Sequence, residues 1–128
     1  MEIDFQGPNT ESDFAQQVQM LNNAINNNPP AIGLAALDTQ SCMDSIKTAQ
    51  SKGIPIVGFG SGVPGAPEGA IVANASTDNY AAGELAGEET YALIKETIAG
   101  ASEPVRIGVM NQDATSESIT NRGSGFVD

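Results

Sequence analysis

Ala31-Ile32-Gly33-Leu34-Ala35-Ala36-Leu37 and Ile54-Pro55-Ile56-Val57-Gly58-Phe59 are two unbroken apolar runs separated by one polar interval, and their reading decides the fold. Each is short enough for a strand buried on both faces of a sheet. Pro55 stands near the start of its run, where a missing N–H is tolerated. In the interval, Asp38 or Thr39 caps a helix whose Met43, Ile46 and Ala49 face inwards, and Lys52-Gly53 closes it. From Ala31 to Ile54 is about one βαβ unit. Strands and helices therefore alternate, and the expected fold class is α/β with a parallel sheet.

Working outward from these runs gives the rest of the layout. Upstream, Phe14, Val18, Leu21 and Ile25 form one apolar stripe on a helix, with Gln and Asn on the wet face. Thr10 followed by Asp13 resembles a capping box, and Asn26-Asn27-Asn28-Pro29-Pro30 ends the helix. Glu2 to Phe5 alternates as a short strand would. Downstream, Gly60 to Gly65 is a glycine-rich loop and Ala70 to Ala73 a short strand. Thr77 or Asp78 caps the longest helix, about Asn79 to Ala99, which carries Leu85, Leu93, Ile94 and Ile98. Val105 to Met110 is expected to be a final buried strand, followed by a helix from Thr115 or Ser116. The chain begins in a strand and stops in a helix, the pattern of a window in a longer protein. A small complete flavodoxin-like domain is the alternative.

Composition narrows the function. The 128 residues hold 16 acidic against 5 basic side chains, a net charge of −11. Phosphate backbones are bound through Lys and Arg, so direct nucleic-acid binding by this segment is not expected, nor is attraction to an anionic membrane. With no His, zinc sites using His and His-based triads are excluded. The single Cys42 makes no internal disulfide and reads as a small buried hydrophobe near a helix start. Gly58 to Gly62 lacks both a Walker lysine and the spacing of a nucleophile elbow. Glu84, Glu88 and Glu89 form a solvated helix face. No catalytic residues, metal site or cofactor is expected.

In open α/β sheets ligands bind beyond the carboxyl ends of the strands. That confines candidates to Gln6–Asn9, Asp38–Ser41, Gly60–Gly62, Asn74–Asn79 and Asn111–Ser116. Neutral amides and hydroxyls with a few carboxylates dominate these stretches. Such groups suit a polyhydroxylated ligand, because each sugar hydroxyl both donates and accepts. The candidate ligand residues are Asp38, Ser61, Thr77, Gln112 and Arg122. Asp38 and Thr77 also suit helix caps, and Arg122 a solvated helix position.

Four stretches together carry a family resemblance: Ala31 to Asp38, Lys52 to Phe59, Thr77-Asp78-Asn79-Tyr80-Ala81-Ala82-Gly83, and Asn121-Arg122-Gly123-Ser124-Gly125-Phe126. They resemble, in order and spacing, the ribose-type periplasmic sugar-binding proteins of the type I, LacI-like superfamily. The resemblance implies two α/β lobes joined by a hinge, with the sugar clamped between them. It makes residues 1–76 most of the N-terminal lobe, lacking its first strand and helix, and 77–128 the start of the C-terminal lobe. Arg122 matches an arginine that contacts the sugar, and Ser61 and Thr77 match cleft-lining positions. Gly60 stands where the family usually has an Asp, and Ala35 where an Asn often stands. The implied function is the extracytoplasmic, periplasmic solute-binding component of an ABC-type importer. It would bind a monosaccharide such as ribose, present it to permease subunits and be a monomer when complete. The rival from another class is the sugar-sensing core of a LacI-type repressor.

Overall fold

Helix starts leave backbone N–H groups without intrahelical partners, and the first ordered helix begins where an acid meets one. The computed structural model describes residues 2–128. Asp13 accepts from the Gln16 amide at 3.1 Å and opens α1, Phe14–Asn26. Thr10 contributes its carbonyl, accepting from the Asp13 amide, rather than the hydroxyl of a capping box. Leu21 and Ile25 are buried and Val18 packs against them. Phe14, the first member of the expected stripe, is left exposed. Asn28 turns the chain with φ 52°, a left-handed conformation that Asn tolerates better than most residues.

Three strands follow: β1 Ile32–Leu34, β2 Ile56–Phe59 and β3 Ile71–Ala75. All are parallel, in the order β1-β2-β3. Ile32, Gly33 and Leu34 pair with Ile56, Val57 and Gly58, and Gly58 in turn with Asn74. Helix α2, Met43–Ser51, links β1 to β2 and ends at Lys52, with Gly53 at φ 70° closing the turn. The core lies between the sheet and α1 and α2. Leu21, Ile25, Ile32, Leu34, Ile46, Ala49 and Ile56 meet there, with Ile46 and Ile56 fully sealed. Each large side chain so buried contributes about 1.5–3 kcal/mol.

β1 and β2 were expected to be buried on both faces, but they alternate instead. Ile32, Leu34, Ile56 and Gly58 are buried while Gly33, Val57 and Phe59 are exposed. The hydrophobic core with α1 and α2 covers the face carrying Ile32, Leu34 and Ile56; on the other face the Phe59 ring lies beside Gly33. Cys42 is buried, as expected, but occupies the N-cap of α2 without capping it through its side chain.

Contacts divide the chain into two units, the first being residues up to Ser76 with Thr115–Glu117, the second Thr77–Ala114 with Ser118–Asp128. In the second, Asp78 accepts from the Ala81 amide at 3.0 Å and caps α3, Asn79–Gly100. Helix α4 is Glu117–Val127, one or two residues later than its expected start. The apolar side chains expected to bury α3 do not do so: Leu85, Leu93 and Ile98 are exposed, and Ile94 is half-buried. What α3 buries is Asn79 and Gly83, while α4 buries Gly123 and Gly125. The two helices approach backbone to backbone. A Cβ on Gly87 would stand 2.7 Å from the Phe126 carbonyl oxygen, and one on Gly125 3.0 Å from the Glu84 amide.

Two expected strands are absent. Glu2 to Phe5 and Val105 to Met110 have no strand structure, and Phe5, Ile107 and Met110 are exposed. Alternating or apolar sequence makes a strand only when a neighbour takes its backbone hydrogen bonds. The sheet among the described residues consists of β1, β2 and β3, and neither segment pairs with it.

Candidate functional site

Parallel strands send their chain in one direction, so the loops after β1, β2 and β3 gather at one edge of the first unit. After β1, Asp38 accepts from the Gln40 amide at 3.0 Å and the Ser41 amide at 2.6 Å. The Ser41 amide is the main reason its carboxyl lies below the usual aspartate value. Slight burial opposes it, and the Ser41 hydroxyl, Gln40 amide and Thr115 hydroxyl reinforce it. The Cys42 thiol donates to the Asp38 carbonyl at 3.2 Å, and burial pushes that thiol's pKa up. Asp38 is thus a charged turn anchor at the strand end, half-buried rather than sealed.

After β2, Gly60 adopts φ 72° and donates its amide to the Ala75 carbonyl at 2.9 Å. A left-handed residue at this turn explains glycine there, since side-chain-bearing residues rarely take that conformation. Ser61 is buried, with its amide on the Phe59 carbonyl at 2.8 Å. The next amide, Gly62, donates to a Glu117 carboxylate oxygen at 2.6 Å. Asn74 lies over Gly58, where a Cβ would come 3.2 Å from its carboxamide carbon. Beside these groups is a cavity of about 340 Å³ whose wall includes Gly62, Val63, Glu68, Ile71, Asn74 and Glu117.

The second unit has its own polar cluster, built on Asn79, a buried polar side chain in the first turn of α3. Its amide nitrogen donates to the Thr77 carbonyl at 3.0 Å, and its oxygen accepts from the Arg122 guanidinium. Thr77 and Arg122 are therefore brought together through Asn79, although Thr77 takes part through its main chain and its side chain is exposed. Gln112 is exposed ahead of α4 and stands outside this hydrogen-bonded chain. Tyr80 donates to the Asp128 carboxylate, and that bond raises the phenol's pKa.

Asn79, Asn74 and Glu117 are not among the five candidate ligand residues read from the sequence. Asn79 carried a weak signal as a polar residue at the start of an apolar helix, and Glu117 as an acid at a helix N-terminus. Asn74 and Asn79 mark the ends of one of the candidate stretches, but what Asn74 lies over depends on the β2–β3 register. Chemically, the two clusters offer hydroxyls, carboxamides, amides, carboxylates and one guanidinium. Among the described residues no group of three His, Cys, Asp or Glu is placed to hold a metal ion. No described helix is long and apolar enough to cross a membrane.

Polar loops at the carboxyl edge of a parallel sheet define an open α/β binding domain. More specifically, the chain belongs to the periplasmic binding protein family: the periplasmic binding protein domain matches residues 1–128. Three solved structures share the type I fold. A Brachyspira murdochii protein named as an ABC transporter, LacI family transcriptional regulator is 38% identical with TM-score 0.83, the match covering 98% of this chain and 40% of that one. An ABC transporter solute-binding protein from Agrobacterium vitis, with bound D-fucose, is 36% identical with TM-score 0.81, covering 98% and 41%. A sugar transporter from Clostridium phytofermentans is 27% identical with TM-score 0.83, covering 96% and 42%. The chain thus spans about two fifths of the length of these relatives. Among curated protein sequences none matches.

Proposed function

We propose that this chain supplies part of the sugar-binding apparatus of an extracytoplasmic solute-binding protein that serves an ABC-type importer. Residues 1–76 then correspond to most of an N-terminal lobe, lacking its first strand and helix, and 77–128 to the start of a C-terminal lobe. The ligand is a neutral monosaccharide such as ribose or a related sugar. The residues proposed to contact it are Asp38, Ser61, Thr77, Gln112 and Arg122. The observation that carries the reading is the polar edge itself. Carboxylate, hydroxyl and backbone amides converge after β1 and β2. The Agrobacterium relative with bound D-fucose supports transport over sensing.

In the whole protein the sugar acts by population shift, favouring the conformation that makes more contacts with it, and that conformation is the one permease subunits receive. The protein works in the periplasm or on the outer side of the envelope, as a monomer. No cofactor takes part. Calorimetric titration of the chain with pentoses and hexoses tests the proposal. It predicts saturable binding of a neutral sugar, weakened about 10- to 100-fold in Arg122→Ala through loss of a charged hydrogen bond. Absence of binding for every sugar, or an unchanged affinity in R122A, would count against it.

A further inference from the structure

Glu117 heads α4, and its carboxylate lies 2.6 Å from the Gly62 amide. The loop is shaped to admit it, since a Cβ on Gly62 would stand 3.2 Å from the Glu117 carboxyl carbon and overlap its oxygen. The cavity beside it, about 340 Å³, is at the small end of the roughly 300–1,000 Å³ typical of small-molecule sites. Its wall combines two carboxylates, Glu68 and Glu117, the Asn74 carboxamide, and an apolar strip of Val63, Ala66 and Ile71. No lysine or arginine belongs to that wall.

These features select a chemistry. A carboxylate has about four lone-pair positions and accepts hydroxyl protons in bonds roughly twice as strong as neutral ones. The apolar strip suits the C–H face of a sugar ring. An anionic ligand in this cavity meets two like charges on the wall, in a chain of net charge −11, and is disfavoured. We infer that Glu117 is a specificity-determining residue, accepting a sugar hydroxyl in this cavity and turning away acidic sugars. The inference rests on the sugar-binding reading and adds a subsite to it. The Gly62 amide orients the carboxylate, and Asn74 supplies a neutral donor and acceptor on the same wall.

Glu117→Gln tests this, because the carboxamide keeps an oxygen for the Gly62 amide while the charge is lost and the second acceptor oxygen becomes an NH2 donor. The wild-type chain and E117Q are titrated with D-glucose, D-fucose, D-ribose, their monodeoxy analogues and D-glucuronate, and melted without ligand to check folding. The expected result is a loss of tenfold or more for the preferred neutral sugar, with one deoxy analogue bound equally by both proteins. D-glucuronate gains relative to neutral sugars in E117Q. Equal affinity of the two proteins for every sugar overturns the inference, as does a uniform loss that spares no deoxy analogue. If E117Q melts several degrees lower, Glu117→Asp replaces it, because it keeps the charge and draws the carboxylate back by one methylene. A loss for the preferred neutral sugar with the same deoxy analogue spared is then expected, and equal affinity for every sugar overturns the inference. A wild-type chain that binds none of the sugars fails at the earlier step and removes the sugar-binding reading itself.

Discussion

Replacing Gly83 with Ala is expected to destabilise the α3–α4 pair, against the usual effect of that substitution within a helix. Alanine in a helix interior is ordinarily better than glycine by about 0.5–1 kcal/mol, because glycine loses more conformational freedom. At position 83 the added Cβ would stand 2.9 Å from the Phe126 amide nitrogen and 3.0 Å from the Arg122 carbonyl carbon, and closer still to its oxygen. All three are backbone atoms of α4, so no rotamer change relieves the contact. Overpacking of this kind costs about 1–3 kcal/mol, leaving a net loss of roughly 1–2 kcal/mol. Gly100→Ala is the control, because nothing lies within 4 Å of a Cβ there. Amide hydrogen exchange along α3 reads both. G83A should speed exchange about 5- to 30-fold, while G100A leaves it unchanged or slower. Slower exchange in G83A would refute the backbone-contact account of how the two helices pack.

Three further outcomes follow from the same geometry. Ile46→Ala removes a side chain that is fully buried between α2 and the sheet. It should cost about 2–5 kcal/mol in urea unfolding, and a loss under 1 kcal/mol would contradict the placement of the core. Asp38 has its pKa lowered from 3.8 chiefly by the Ser41 amide. Its ionised form therefore adds stability above the unfolded value, and that contribution fades as pH falls through the lower folded value. Asp38→Asn should flatten the acid limb of the stability–pH curve below about pH 4, and an unchanged acid limb would refute the assignment. Asn79→Ala breaks both halves of the Thr77–Asn79–Arg122 chain. If Arg122 binds sugar only when Asn79 holds it, N79A and R122A should weaken binding by similar factors and the double variant by little more. Additive losses would separate the two roles.

The α/β class was legible because it follows from the two apolar runs around α2, and their pairing in register is what parallel order requires. Helix boundaries at Asn79 and near Asn26 were legible from Asp78 and the asparagine run. Other features depended on partners that sequence does not name. Val105 to Met110 and Glu2 to Phe5 have strand composition, yet they pair with none of β1, β2 or β3 and stay exposed. Val57 and Phe59 looked buried because a continuous apolar run carries no record of which face receives helices. In α3 the apolar residues drew attention to Leu85 and Leu93, while the packed face is made by Gly83 and Gly87, which hydrophobic periodicity cannot register. Asp38 and Ser61 were named through the carboxyl-edge rule, and the structure places them on the loops after β1 and β2. Glu117 escaped because its partner, the Gly62 amide, is distant in sequence and set only by the fold.

The most direct measurement is a thermal melt of the chain with and without a panel of neutral pentoses and hexoses. Ligand at about 100 times its dissociation constant adds about 2.7 kcal/mol to the folded state. With an unfolding entropy of about 2.1 cal/mol/K per residue over 128 residues, that raises Tm by roughly 10 °C. The account predicts such a rise with one or a few related neutral sugars and no rise with sugar acids. A melt indifferent to every neutral sugar at high concentration would contradict it.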